Sequence, residues 1–173
     1  MAEKFDHIQK ILSDQFQSKV NFVDLGIKDN ILSIEVYDSA FELIQFLKNE
    51  MGFTFLTDLC GVHYPDQPEY KFAVVYHLHN WLENKRIRIK CLIKAEPKID
   101  SIVSLFQSAN WQERETYDFY GIDFINHPDL RRILNMDEMD SFPLRKEHPL
   151  EDAGRTDKDD RYFGRNPQNK LIS

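Results

Sequence analysis

The sequence predicts an α+β fold: a mixed five-stranded sheet in the order α-β-β-α-β-β-β followed by helices, with the helices packed on the sheet and an extended C-terminal tail. Three observations carry that reading. Phe5, Ile8, Ile11, Leu12 and Phe16 recur at helical spacing, a stripe that lets one side of a helix face a core. In "KRIRIKCLIK", Ile87, Ile89, Cys91 and Ile93 alternate with Arg86, Arg88 and Lys90, as in a strand buried on one face. Past Leu150, in "EDAGRTDKDDRYFGRNPQNKLIS", ten charges cancel and few apolar residues remain, so that stretch cannot bury enough surface to order itself alone.

The first helix runs from about Glu3 to Gln17. Val20 to Ile27 and Ile31 to Tyr37 then alternate, and "KDN", Lys28 to Asn30, reads as the hairpin turn between them. Ser39 with Glu42 three residues later forms a capping-box pattern; Phe41, Ile44 and Leu47 follow at helical spacing, and Gly52 ends the second helix. Three strands come next, about Phe53 to His63, Tyr70 to His79 and Lys85 to Lys94. In the middle one Phe72, Val74, Tyr76 and Leu78 share a face, which leaves His77 and His79 together on the other. The tip "NWLEN" shows Trp81 and Leu82 where polar turn residues are usual, so it is expected to pack on a neighbour. After Pro97, Ile99, Ile102, Val103 and Phe106 predict a short helix. Asn110 is expected to cap a further helix with Glu113 at its third position, ended by Gly121.

Residues 1–122 are thus expected to form one α+β domain, with 123–173 an extended segment laid along partner chains. Acidic residues outnumber basic ones by 29 to 22, for a net charge of −7, which argues against a nucleic-acid backbone as the main partner. Cys60 and Cys91 fall inside strands and read as reduced, buried thiols. No run approaches the ~20 apolar residues that span a bilayer, so a membrane is expected to be reached through partners. Glu3, Asp6 and Asp14 are unlike a transit or signal peptide, and the N-terminus is expected to belong to the fold.

Chemistry-bearing motifs are sparse. Two separated cysteines cannot supply an iron–sulfur cluster, and neither a glycine-rich dinucleotide turn nor a P-loop is present. His77 and His79 could open a metal site on a strand face, a remote alternative in which the chain is a stand-alone metal enzyme; strand histidines on a solvated or interface face are the plainer reading. Glu113 and Glu115, two apart on a helix, point about 200° from each other and cannot share a substrate.

The densest stretch is "ERETYDFYGIDFINHPDLRRIL", Glu113 to Leu134. Arg114 and Asp118 stand four apart, within reach of each other; Trp111, Glu115 and Phe119 form a second row, and Glu113, Tyr117 and Tyr120 a third. A helix charged and aromatic on every side is expected to be covered on several sides, with aromatic and Arg contacts as anchors of an interface. Pro128 biases His127 to an extended conformation, Asp129 can accept backbone hydrogen bonds, and Arg131 and Arg132 offer planar forks to carboxylates. The alternative, a salt-bridge cluster that only holds this domain together, stays open.

This stretch resembles the signature of the thirty-kilodalton subunit of the respiratory NADH:quinone oxidoreductase, complex I. Glu113, Arg114, Glu115, Asp118, Phe119, Tyr120, His127, Arg131, Ile133 and Leu134 fall on the signature positions. "FLTDLCGVHYPDQPEYKFAVVYHL", "RIRIKCLI" and "FPLRKEHPL" resemble the flanking segments, and Asn126 departs from the glycine usual before the motif's His. The resemblance implies a non-catalytic subunit with no cofactor of its own, the iron–sulfur clusters, FMN and quinone residing on partner subunits. It implies docking on the hydrogenase-like subunit of the complex, expected as a separate chain, and on other peripheral-arm subunits, at the cytoplasmic side of a bacterial inner membrane. The signature residues, with Pro128, Asp129 and Arg132, are then interfacial. The same family serves complexes fed by ferredoxin, reduced deazaflavin or a hydrogenase, and the electron-input site lies on other chains.

Overall fold

The structure, a computed structural model, describes residues 3–24 and 31–148. The expected Lys28–Asn30 turn and the tail past Leu150 lie outside the described residues. The elements are α1 (Glu3–Phe16), a single 3-10 turn, β1 (Asn21–Val23), β2 (Ile31–Tyr37), α2 (Phe41–Met51), β3 (Phe55–His63), β4 (Phe72–Asn80), β5 (Lys85–Ile93), β6 (Lys98–Asp100), α3 (Ala109–Tyr120) and β7 (Asp123–Ile125).

β1 to β5 form the mixed five-stranded sheet, in spatial order β1-β2-β5-β4-β3. α2 carries the chain from β2 to the far edge, and the β3-β4-β5 meander returns so that β5 pairs with β2, the one parallel pair of that sheet; the other pairs are antiparallel. The alternation decides which face is buried. Leu32, Ile34 and Val36 of β2, Ile87, Ile89 and Cys91 of β5, and Val74, Tyr76 and Leu78 of β4 join Ile8 and Leu12 of α1 and Ile44 and Leu47 of α2 in a single core. Burying such a side chain fully contributes about 1.5–3 kcal/mol. The opposite sheet face carries Asp58, His77, Arg86, Arg88 and Lys90, and among the described residues the helices lie on the core side.

Several local expectations are corrected. The helix expected after Pro97 is instead β6, which pairs in parallel with β7, followed by one turn in which the Phe106 amide donates to the Ile102 carbonyl. The spacing of Ile99, Ile102 and Phe106 buries all three, yet by a strand and a turn rather than by a helix face. Asn110 lies inside α3, whose cap position is Ser108, and no side chain caps that end. Nor does Ser39 complete a capping box. Ala40 holds the cap position of α2, and the Ser39 hydroxyl donates to Asp100 at 3.1 Å. Cys60 is exposed, its side chain falling on the open sheet face, whereas Cys91 is buried and its thiol is pushed up by burial.

α3 packs across β3 on the core side, and Gly61 permits it. A Cβ at Gly61 would stand 2.7 Å from a ring carbon of Tyr120 and 2.8 Å from the Thr116 methyl, distances that neither packed side chain can relieve without moving α3. Gly61→Ala is therefore expected to destabilise the fold by about 1–3 kcal/mol, the usual cost of overpacking. Chemical denaturation of the purified chain measures it, and an unchanged midpoint would mean that α3 rides on β3 more loosely than this geometry requires.

Candidate functional site: the charged strap on α3

The charges of Glu113 to Leu134 are satisfied largely within the chain itself. Asp118 is completely buried. Its Oδ1 accepts from the Arg132 guanidinium at 2.8 Å, and its Oδ2 accepts from three consecutive amides, Ile133 at 3.1 Å, Leu134 at 2.8 Å and Asn135 at 2.9 Å. Burial alone would raise this carboxyl. The amides of Asn135 and Leu134 and the Arg132 guanidinium outweigh it and hold the group well below the usual carboxylate range. Arg132 also donates to the Asp118, Met139 and Ser141 carbonyls at 3.1, 2.5 and 3.1 Å. One carboxylate and one guanidinium thus fold the segment after β7 back onto α3.

The helical neighbours Arg114 and Asp118 do not pair as their spacing suggests. Arg114 stacks on Trp111, 5.2 Å from the ring centroid, and donates to the Arg131 and Arg132 carbonyls at 3.2 and 3.0 Å. Further along, Arg145 donates to the Tyr120 carbonyl at 2.7 Å and lies over the Phe142 ring at 4.6 Å. Gly121, φ +70°, lets the helix end there in a left-handed turn, and a Cβ on it would meet Phe142 at 2.5 Å. The strap therefore runs from Arg131 to Arg145, tied by the polar groups of α3 and by its last carbonyls.

Glu113 is the second buried acid. Its Oε2 accepts from the Ser101 hydroxyl at 2.6 Å and its Oε1 from the Ile102 amide at 2.8 Å, so α3 caps the turn after β6 from a distance of eleven residues. Burial pushes its carboxyl up to about 7 even against those two hydrogen bonds. His127 stands beside it, Nε2 to Oε2 4.0 Å. The Asp129 amide donates to His127 Nδ1 at 3.0 Å, which places the ring's proton on Nε2, facing the Asn110 carbonyl at 3.2 Å. Asn126, left-handed at φ 65°, makes the turn into this histidine that a glycine would make readily.

What remains outward is a different set. Glu115, Pro128, Asp129 and Arg131 are exposed, Phe119, Tyr120 and Ile133 are half-buried, and Leu134 and Trp111 are 65% and 61% exposed. Among the described residues the Arg131 side chain pairs only with Asp129, at 2.9 Å in solvent. The periodicity of α3 alone could not separate the inward charges from the outward ones, because their partners lie eleven or more residues away.

The other candidate chemistry stays scattered. His77 meets Asp58 at 3.7 Å and burial lowers its pKa, while His79 lies under the Trp81 ring. Among the described residues no three His, Cys, Asp or Glu side chains group as a metal site, and no helix is long and apolar enough to cross a membrane. A cleft of about 730 Å³ opens near the start of α2, lined by Phe16, Lys19, Tyr37, Glu42, Asp100 and Ser104 among others, and Ser101 and Asn126 from the Glu113–His127 end of the site also line it.

The comparisons with known proteins agree with the geometry. Residues 36–154 match the family described as "Respiratory-chain NADH dehydrogenase, 30 Kd subunit". The chain is 46% identical over 112 residues to an NADH-quinone oxidoreductase subunit of Rhizobium etli, an alignment of 63% of this chain and 59% of that relative's length. It is 37% identical to an NADH-quinone oxidoreductase subunit of Mesorhizobium japonicum over 87% of this chain and 75% of the relative. Among solved structures, a trypsin-resistant fragment of Nqo5 superposes with TM-score 0.59 at 32% identity, covering 71% of this chain and 98% of the fragment. A chain of the membrane-bound sulfane sulfur reductase, an archaeal respiratory membrane complex, shares the fold with TM-score 0.72 at 20% identity, covering 85% and 86%. The chain belongs to the family of the 30 Kd subunit of the respiratory-chain NADH dehydrogenase.

Proposed function

We propose that this protein is a non-catalytic peripheral-arm subunit of a proton-translocating NADH:quinone oxidoreductase, on the cytoplasmic side of the cell inner membrane. It braces the hydrogenase-like subunit near the quinone site. The iron–sulfur clusters, FMN and quinone are carried by partner chains, and the strap, packed on α3 by its inner side, turns its outer side to those partners, with the tail beyond it laid along them. The observation that carries the reading is the division of labour on α3. Buried Arg114 and Asp118, with Arg132, tie the strap to α3, and Trp111, Glu115, Arg131 and Leu134 are left outward as a preorganised surface of aromatic, aliphatic and charged anchors.

The test separates docking from folding. Glu115→Ala and Arg131→Ala remove exposed side chains, and the Arg131–Asp129 pair, mostly in solvent, contributes at most about 1 kcal/mol. Both variants are expected to leave the melting temperature of the purified chain nearly unchanged while lowering the recovery of assembled complex and its quinone-linked activity several-fold. Full assembly in both variants sinks the interface reading. The shared fold in an archaeal respiratory complex leaves the electron source to a second observation. Co-purification of an NADH-binding flavoprotein with a tag on this chain names NADH as donor, and its replacement by a ferredoxin- or hydrogenase-type input chain names the alternative.

A further inference from the structure

The tip of the β4–β5 hairpin holds two apolar side chains in solvent. Asn80 is buried beneath it. Its Oδ1 accepts from the Leu82 and Glu83 amides at 3.0 and 3.1 Å, and its Nδ2 donates to the Met51 carbonyl at 3.1 Å. This clamp fixes the turn from below, so Trp81 and Leu82 stay 63% and 98% exposed. The Trp81 ring meets Phe55 edge-on at 5.4 Å and covers the His79 imidazole at 4.7 Å. Phe55 is itself 44% exposed, which makes a contiguous apolar patch where a soluble turn would be polar.

Among the described residues, two of the cations beside this patch lack a carboxylate within ion-pair distance, although Asp58 sits on the same face, 3.7 Å from His77. Arg86 stands opposite His79 and Arg88 opposite His77, on the open face of the sheet. Neighbouring lysines each have a carboxylate: Lys85 with Glu83, Lys90 with Glu35 and Lys94 with Glu69. Among the described residues neither Arg86 nor Arg88 has one, and the Arg88 guanidinium meets only the Ser33 hydroxyl, at 3.3 Å. In a chain where acids outnumber bases by 29 to 22, that is a selective omission. Beneath the patch His79 is 7% exposed, and its Nε2 is buried with no hydrogen-bond partner. Such an atom is costly to leave unmatched.

We propose that this open end of the sheet is a second docking surface, for an apolar protein segment bearing a carboxylate. Phe55, Trp81 and Leu82 take the apolar side chains, and the guanidinium forks of Arg86 and Arg88 take the acid. The surface lies on the sheet face opposite α3 and at the other end of β3 from Gly61, where α3 packs. Coverage here is independent of the reading of the strap, and with both surfaces occupied the chain bridges two partner surfaces.

The experiment is site-specific labelling of the full-length chain. On a Cys60→Ser background, which removes the exposed native thiol and leaves the buried Cys91, Leu82→Cys is reacted with a charged maleimide, once in permeabilised native cells and once as the purified chain. Labelling in cells is expected to be at least ten-fold slower. Adding Arg86→Glu, an exposed change, is expected to bring the rate in cells back toward that of the purified chain. Equal rates in the two settings overturn the proposal. Protection reproduced by adding phosphatidylethanolamine–phosphatidylglycerol vesicles to the purified chain also overturns it, because the occupant is then a lipid surface. Protection that persists unchanged in Arg86→Glu overturns it as well, because the occupant is then not held by a carboxylate.

Discussion

Asp118→Ala is expected to cost about 3–5 kcal/mol of stability, the range for breaking a buried ion pair by removing one partner. The loss has two parts. The Arg132 guanidinium keeps its bonds to the Asp118, Met139 and Ser141 carbonyls but loses its countercharge in a site where its side chain is only 10% exposed. The amides of Ile133, Leu134 and Asn135 lose their common acceptor at the same time. Asp118→Asn retains the shape and one acceptor oxygen, so it should fall between the wild type and the alanine variant. The pH dependence follows from the depressed carboxyl. Its contribution is fully present above the unfolded pKa of about 4 and is lost as the pH falls through that value toward the lower folded one. Denaturant titrations at pH 7 and at pH 3 therefore test the same claim twice: the gap between wild type and Asp118→Ala should be widest at the first and smaller by about 1 kcal/mol at the second, since pH 3 lies only about one unit below the unfolded pKa and above the folded one. A gap below about 1 kcal/mol at pH 7 would reduce the network to the strength of a surface pair.

This variant also divides two ways of losing assembly. Without Asp118 the strap loses its main tie to α3, so Arg131 and Leu134 lose their placement and docking fails because the surface is no longer built. Glu115→Ala leaves the surface built and removes one anchor. Lost recovery with a lowered melting point is thus expected from the first, and lost recovery at an unchanged melting point from the second.

The elements were legible wherever a residue's neighbours in sequence were also its neighbours in space. β5 alternates because one face meets the core, and α2 repeats at helical spacing for the same reason. The family signature was likewise readable as a stretch of chain, though not which of its residues turn inward: Glu113, Arg114 and Asp118 are buried and Glu115 and Arg131 exposed. Legibility stopped where a side chain works across the fold. Glu113 looked like part of a capping box begun by Asn110, but its carboxylate is bonded to Ser101 and Ile102, so the box is never closed. The same bonds explain the missing helix after Pro97. Ser101 and Ile102 receive a hydrogen-bonding acceptor from α3, and β7 supplies a strand partner to Lys98–Asp100, so backbone groups that a helix would have paired are already paired. Asp118 likewise ignored its helical neighbour Arg114 because Arg132, fourteen residues on, brings three amides with it.

Glu113→Gln is expected to act in the opposite sense to Asp118→Ala and to show it through pH. A carboxyl raised to about 7 in the folded chain, against an ordinary 4.5, holds its proton in the fold over a range in which the unfolded chain has released it. Stability must then fall as the pH rises, by about 1.4 kcal/mol per pH unit across that range and on the order of 3 kcal/mol in all. The cause is burial: the side chain is fully enclosed, and two hydrogen bonds do not replace the water an anion would hold. Glutamine resembles the protonated acid. Its carbonyl accepts from the Ile102 amide, its amide donates to the Ser101 hydroxyl, and nothing ionises. The difference in unfolding free energy between Glu113→Gln and wild type, measured by denaturant titration of the purified chain, should be small at pH 5 and favour glutamine by a few kcal/mol at pH 8. Taking the difference cancels the titration of groups common to both. A difference that stays flat from pH 5 to pH 8 would mean that Glu113 ionises without penalty, and that the turn at Ser101 and Ile102 is held by an ordinary carboxylate.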